Sequence, residues 1–350
     1  MAKSLYIHIP FCRKKCGYCD FYSRPYSEGS VSLYIDILCR QIKDLKNSFR
    51  TIYIGGGTPT VLSVDLWAKL LKSLKKFTRS GLEFTIEANP ESLDEAKVKL
   101  FKAQGVNRLS IGVQSLFDKK LKQLGRIHSA QDAVAKVLLA KNNGFNNLNA
   151  DFIFGLAGES LDGWKKELRQ IVKLPLKHIS LYALTYSEVA SEEITSRIYK
   201  YNQSYLPKKG FRHYEVSNFS KKGYESQHNL NYWDNSSYLG LGPSAVSYHQ
   251  GLRQKNIADL GKYLQKQTIA SKEELSPLKR AKETAALKIR TSQGIDFKWF
   301  KKQTGFDFKK LEAEALEGIR GQGLVKYAKT KVYLTAKGFL FSDAVSRALV

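Results

Sequence analysis

Cysteine is scarce in this chain, with four among 350 residues. That is too few to staple a fold of this length with disulfides, so a reducing compartment and thiol chemistry are the expectation. No apolar run reaches the roughly 18 residues that a membrane span needs. The opening MAKSLYIHIP shows no basic head, long apolar stretch or small-residue cleavage site, so a cytoplasmic protein is expected, with peripheral attachment to the inner face of the membrane left open. Acidic residues are also short, 32 against 57 Lys and Arg, for a net charge of +25. Such a surplus could serve nucleic acid, an anionic membrane face or an acidic ligand. It is diffuse, however. Residues 276–350 hold 16 basic and 7 acidic residues, and the rest of the excess is spread over the preceding chain. That distribution reads as solvated helix faces, and a nucleic-acid partner is not expected.

With 43% hydrophobic residues, the chain can bury a full-sized core and a smaller second one. Six short runs of β character, at 4–9, 50–56, 82–88, 107–113, 148–154 and 178–184, alternate with amphipathic helical stretches such as Val31, Tyr34, Ile35, Leu38 and Ile42. Strand-helix alternation implies a parallel sheet. The strand parity says more. Phe84 and Ile86 oppose Glu83, Thr85 and Glu87, and Phe152 and Phe154 oppose Asn149 and Asp151. A parallel sheet covered by helices on both faces would be apolar on both, so a polar alternate face predicts helices outside and a polar lumen inside. The fold class expected is α/β, a partial (β/α)6 TIM-like barrel over 1–185. A barrel-edge extension should follow at 186–275, and a C-terminal α+β winged-helix-like module at 276–350.

The strongest chemical signal is HIPFCRKKCGYCDF at 8–21, where Cys12, Cys16 and Cys19 follow a C-x₃-C-x₂-C spacing just after the first strand. A closed zinc site needs four ligands, and no fourth Cys or suitably spaced His is near. Cys39 sits on the apolar stripe of the next helix, where a small buried hydrophobe is expected. Three thiolates on an iron-sulfur cluster with one open iron account for the odd number. The competing reading is a merely packed or reactive trio. GGGTPT at 55–60 taken alone is a tight turn without dinucleotide spacing, and Glu87 or Asp151 taken alone is an ordinary cap or surface acid. Each of these groups follows a different strand at its C-terminal end, and together they form the ring expected of a parallel-barrel active site.

The Cys motif, GGGTPT, EANP (87–90), SIGVQS (110–115), LGRIH (124–128) and DFIFGLAGES (151–160) together resemble the radical S-adenosylmethionine (SAM) superfamily. More narrowly they resemble its coproporphyrinogen oxidase-like branch and the haem chaperones within it. The resemblance runs in order from residue 4 to about 250. It implies that Cys12, Cys16 and Cys19 hold a 4Fe-4S cluster whose open iron takes SAM. It further implies that Gly56, Gly57 and Thr58, in the Gly55 to Thr58 turn, let backbone approach the SAM amino group, and that Glu87, Gln114, Arg126 and Asp151 hold its polar groups. Tyr6 and Tyr18 would flank cluster and cofactor. An electron donor for the cluster is implied as a partner.

Within the branch, coproporphyrinogen-converting relatives carry a further cysteine two residues after the third ligand, where this chain has Phe21. HNLNYW at 228–233 matches the H-N-x-x-Y-W motif of the haem chaperones, which implies haem as cargo and acceptor haemoproteins as partners. His228 would offer an imidazole to iron, and Tyr232 and Trp233 flat faces to a porphyrin. LGLGPSAVS at 239–247 is expected to close the barrel edge and is assigned no ligand. A coproporphyrinogen decarboxylase is the second reading, and a nucleic-acid-modifying radical enzyme ranks last.

Overall fold

The computed structural model describes residues 2–185 and 189–350. Six parallel strands form its centre: β1 (Ser4–Ile9), β2 (Thr51–Gly56), β3 (Glu83–Ala88), β4 (Arg108–Gln114), β5 (Asn147–Phe154) and β6 (His178–Ala183). Each pairs with the next in sequence, in the order β1-β2-β3-β4-β5-β6. That is the arrangement of right-handed strand-helix-strand units in which every crossover helix lies on the same side. Among the described residues no strand pairing joins the two ends of the sheet, so it is open. The antiparallel β7 (Arg212–Glu215) and β8 (Asn218–Ser220) extend it beyond β6. On the other side β9 (Tyr238–Leu241) pairs in parallel with β1. The hairpin strands β10 (Val246–His249), β11 (Leu252–Asn256) and β12 (Ile269–Glu274) continue outward to complete twelve strands. LGLGPSAVS therefore does build the barrel edge, as β9 and its turn into β10.

The helices between the strands are α1 (Glu28–Asp44), α2 (Val64–Leu74), α3 (Glu95–Ala103), α4 (Asp118–Gln123), α5 (Ala130–Asn142) and α6 (Leu161–Ile171). They cover one face of the sheet. Ser63, Asp94, Ser129 and Ser160 cap four of them by accepting a backbone N–H three residues on, which satisfies donors the first helical turn leaves free. The outward strand residues Leu5, Ile7, Ile52, Ile54, Phe84, Ile86, Leu109, Ile111, Ala150 and Phe152 are all sealed against these helices. The alternate residues face the lumen: Tyr6 and His8 on β1, Tyr53 on β2, Thr85 and Glu87 on β3, Arg108 and Ser110 on β4, Asn149 and Asp151 on β5, His178 and Ser180 on β6. The strand parity read from sequence thus maps onto an apolar outer layer and a polar interior.

Past β6, α7 (Glu192–Tyr205) runs back along the barrel. The short helix α8 (Gln227–Trp233) carries HNLNYW across the N-terminal ends of the strands, bonded to β2 and β3. The expected segment boundary at residue 186 falls outside the described residues. A second core gathers Ala281, Ile289, Phe300, Phe308, Val332 and Val345, among others, under a three-stranded sheet of 295–296, 331–334 and 325–327. Helices at 277–288, 297–304, 308–311 and 313–321 precede the small wing of 325–327 and 331–334, and helices at 336–340 and 342–348 follow it.

Trp67 of α2 is fully buried and meets Phe101 of α3 edge-on at 4.7 Å. Trp67→Ala should cost about 3–5 kcal/mol in urea unfolding. Leu33→Ala, at a side chain 48% exposed on α1, should stay within about 0.5 kcal/mol.

Candidate active site

A cavity of about 450 Å3 opens at the C-terminal ends of the parallel strands. Tyr18, Cys19, Gly56, Gly57, Thr58, Glu87, Gln114, Arg126 and Asp151 all line it, so one space collects residues spread over more than 130 positions of sequence. Tyr6 does not. It lies deeper on β1, its hydroxyl 2.9 Å from His8 Nδ1 and its ring beside Tyr53 and His228. Strand register sets Tyr6 three residues before the end of β1, one layer beneath the cavity and within electrostatic reach of Glu87.

The cysteine loop is fastened to the glycine turn by backbone bonds, from Gly57 N–H to Ile9 O at 2.9 Å and from Thr58 N–H to Phe11 O at 2.8 Å. Glycine is required there. Gly56 has φ +120°, and a Cβ on Gly57 would come within 2.9 Å of Cys12 Sγ and 2.7 Å of Phe11 O. Thr58 Oγ1 lies 3.6 Å from Cys12 Sγ, and Arg126 Nη1 lies 3.6 Å from Cys16 Sγ. All three thiols are free. Burial pushes the Cys12 and Cys19 thiols up, and for Cys19 the neighbouring Cys16 and Cys12 add to the rise. Among the described residues no three His, Cys, Asp or Glu side chains converge on a point that would hold a single metal ion. A cluster makes a different demand, one thiolate on each of three irons. Three separate thiols within electrostatic reach of one another, beside a glycine cradle, fit that demand. Cys39 is remote, its Sγ turned to the Lys69 carbonyl between α1 and α2.

The cavity floor carries two carboxyls. Glu87 accepts from the Tyr53 hydroxyl at 2.6 Å and from Gly56 N–H at 3.1 Å, yet burial pushes it up to about 7. Asp151 accepts from Asn149 Nδ2 at 2.8 Å and is also raised by burial. On the opposite wall, Arg126 spans Cys16, the Gly112 carbonyl at 3.1 Å and Glu91 at 3.8 Å. Gln114 ends β4 with φ +66°, a costly conformation for a side-chain-bearing residue at a strand end. An arginine facing two acids across a cavity suits a ligand that carries both an anionic and a cationic group.

Sequence reasoning missed the layer beneath. Arg108 is 2% exposed with no hydrogen-bond partner at Nε. Its charge favours ionised Glu87 and Asp151 and, after burial, disfavours protonation of His178 and His228. Asn149 Oδ1, His178 and the Tyr214 hydroxyl form a bonded line at 2.6 and 2.7 Å that ends 3.3 Å from Ser226 N–H, at the cap of α8. The two-residue alternation already visible at Phe84 and Ile86, carried through all six strands, would have pointed Tyr53, Arg108 and His178 inward.

HNLNYW sits at the other end of the lumen. His228 is 1% exposed, its Nδ1 2.8 Å from Thr51 Oγ1 and its Nε2 3.0 Å from the Tyr232 hydroxyl, with Tyr53 stacked on it at 5.0 Å. Burial, with Arg108 behind it, pushes this imidazole down to about 3. Trp233 turns the opposite way, under Arg290 of the C-terminal module. In this closed arrangement both ring nitrogens of His228 are engaged by protein groups and Tyr232 and Trp233 face apart, so an iron at His228 would have to displace the Thr51 or the Tyr232 bond.

Comparison with known proteins agrees with this geometry. The family model of the radical SAM superfamily matches residues 6–171, and that of the HemN C-terminal domain matches 275–341. The solved structure of the Escherichia coli coproporphyrinogen III oxidase superposes with a TM-score of 0.86 at 21% identity, covering 99% of this chain and 89% of that one, a likeness of fold. Proteins named heme chaperone HemW are 33% identical in Lactococcus lactis (98% of this chain, 96% of the relative) and 33% in Bacillus subtilis (99% of each). The Escherichia coli protein of that name is 37% identical over 69% of each chain. The family-model match and these relatives make the chain a radical SAM protein, of the superfamily that uses a 4Fe-4S cluster and SAM. Within it, by identity over nearly the whole length, the chain belongs to the HemW family.

If the three-thiol reading holds, Ala at Cys12, Cys16 or Cys19 removes the reconstituted cluster's visible absorption and iron, and Ala at Cys39 leaves both. Glu87 gives a second expectation. Below about pH 7 it is protonated and cannot pair with a cationic ligand, so SAM affinity measured by calorimetry should rise as pH rises through 7 and then level. Glu87→Gln should flatten that profile.

Proposed function

We propose that the chain is a haem carrier built on a radical SAM scaffold: it binds haem, holds a cluster and SAM at the top of the barrel, and passes haem to acceptor haemoproteins, including those at the inner membrane surface. The observation that carries this reading is one-third identity, across nearly the full length, to proteins named heme chaperone HemW. The site supports it. Position 21, where coproporphyrinogen-converting relatives place a cysteine, holds Phe21, 67% exposed at the mouth of the cavity. A phenyl ring can neither ligate iron nor donate a hydrogen atom as a thiol does, which argues against the decarboxylase reading. Among the described residues no helix is long and apolar enough to cross a membrane, so contact with the membrane would be peripheral.

Cys12, Cys16 and Cys19 would hold the cluster, and Arg126, Glu87, Asp151 and the glycine turn would hold SAM. When bound, the cluster supplies one electron at low potential, drawn from an electron-donor partner. The chain's own contribution at this end is orientation and charge. Arg126 places a cation beside Cys16, Thr58 offers Cys12 a hydroxyl, and Arg108 holds positive potential beneath both acids. At the other end, His228 would ligate the iron of haem in exchange for its bond to Thr51 or Tyr232, with Tyr232 and Trp233 as the aromatic residues of the same motif.

The test is haem titration of the reconstituted protein, followed by the iron ligand-field bands, alongside a coproporphyrinogen turnover assay. The expected result is stoichiometric haem binding, a spectrum altered by His228→Ala with the cluster retained, and no decarboxylation. Robust decarboxylation by the wild type would make the oxidase reading primary.

A further inference from the structure

A second cavity, about 660 Å3, lies at the N-terminal ends of the strands against the outer face of α8. Lys3, Arg50 and Arg79 line it, and none of the three makes an ion pair among the described residues. The acids nearby are committed. Asp234, on the same wall, is held by Lys288 at 2.6 Å. Glu83 spends both carboxylate oxygens on the Gln227 and His228 N–H groups, at 2.9 Å each. Backbone bonds bring the main chain at Lys3 and Arg50 together, through Arg50 N–H to Lys3 O at 2.6 Å and Glu83 N–H to Arg50 O at 3.0 Å, while Arg79 Nη2 holds the Phe49 carbonyl at 2.8 Å. Three cations that make no ion pair among the described residues thus line one cavity, and an anion entering it would be drawn to them.

The position matters as much as the charge. Arg50 directly precedes Thr51, whose hydroxyl is one of the two bonds closing His228. Leu230 and Asn231 of α8 form the facing wall. The lining is polar apart from Leu230, so it suits the charged edge of a ligand, not an apolar ring.

We propose that this basal cavity is the site of the propionate edge of the cargo, with Lys3, Arg50 and Arg79 taking the two carboxylates of a dianionic tetrapyrrole next to the α8 helix. The assignment rests on the haem-carrier reading above and adds to it the residues that select a carboxylate-bearing ligand. It separates the anion-binding cations from the imidazole behind the helix, and makes the first contact one that needs no opening of α8. All three cations are solvent-exposed, so their attraction is screened by salt.

The experiment uses cluster-reconstituted protein and three probes: ferric haem, its dimethyl ester, in which both propionates are neutral, and pyrophosphate as a plain anion. The variant is Lys3→Gln with Arg50→Gln, leaving Arg79 in place because it also holds the Phe49 carbonyl. The expected result is about tenfold weaker haem binding at low salt in the double variant. The ester should bind wild type and variant alike, pyrophosphate should compete with haem, and the cluster spectrum and melting temperature should not change. A single Arg50→Glu variant, altering one exposed side chain, should weaken haem binding further. Equal affinity of wild type for haem and ester, haem binding indifferent to both variants, or pyrophosphate that binds without displacing haem would each overturn the assignment while leaving the haem-carrier reading intact. A wild type that binds no haem would overturn both.

Discussion

The two-residue alternation of six parallel strands is the constraint on which the rest of the molecule depends. Each strand gives one face to the helices and the other to the lumen, and a slip of one residue in any of them would exchange the two. The exchange would be prohibitive, because it would drive Arg108, Asp151 and His178 into the helix layer and expose Ile54, Ile86 and Ile111 to a polar interior. Register is therefore set by the core, and the functional residues inherit positions that the core has fixed.

That inheritance produces a molecule with two working ends. At the C-terminal ends of the strands, loops bring Cys19, a glycine turn, two acids and an arginine around one cavity, with Cys12 and Cys16 beside it against Thr58 and Arg126. At the N-terminal ends, α8 closes the lumen, tied down by Glu83 from outside and by Thr51 from within. Between them lies a continuous polar column. Asp151, Asn149, His178 and Tyr214 form one line through it, and Glu87, Tyr53 and His228 form another through a hydrogen bond and a ring stack. Arg108 stands among them with no ion pair among the described residues; its charge favours the ionised acids above it and adds to burial in lowering the imidazoles beside it.

Much of this was legible in the sequence. The strands were located to within a residue because apolar alternation and turn residues agree locally, and the cavity residues were found because they cluster just past strand ends. The three-cysteine loop was legible because its ligands are close in sequence. What could not be read depended on distant contacts. Nothing local says that HNLNYW packs on Thr51 and Glu83, 177 and 145 positions from His228, so the closure of this histidine is not legible in the sequence. Lys3, Arg50 and Arg79 are three unremarkable basic residues among 57 until the fold sets them around one cavity.

The central claim is that the cluster and the α8 motif occupy opposite ends of one lumen. The most direct test is magnetic. In a Cys39→Ser background with the cluster reconstituted, a nitroxide placed on α8 through Gln227→Cys should feel the reduced cluster across the length of a six-residue strand, about 20 Å at roughly 3.3 Å per residue. Relaxation enhancement corresponding to that separation is the predicted result. A coupling that places the label within about 10 Å of the cluster, half the strand length, would contradict the arrangement described.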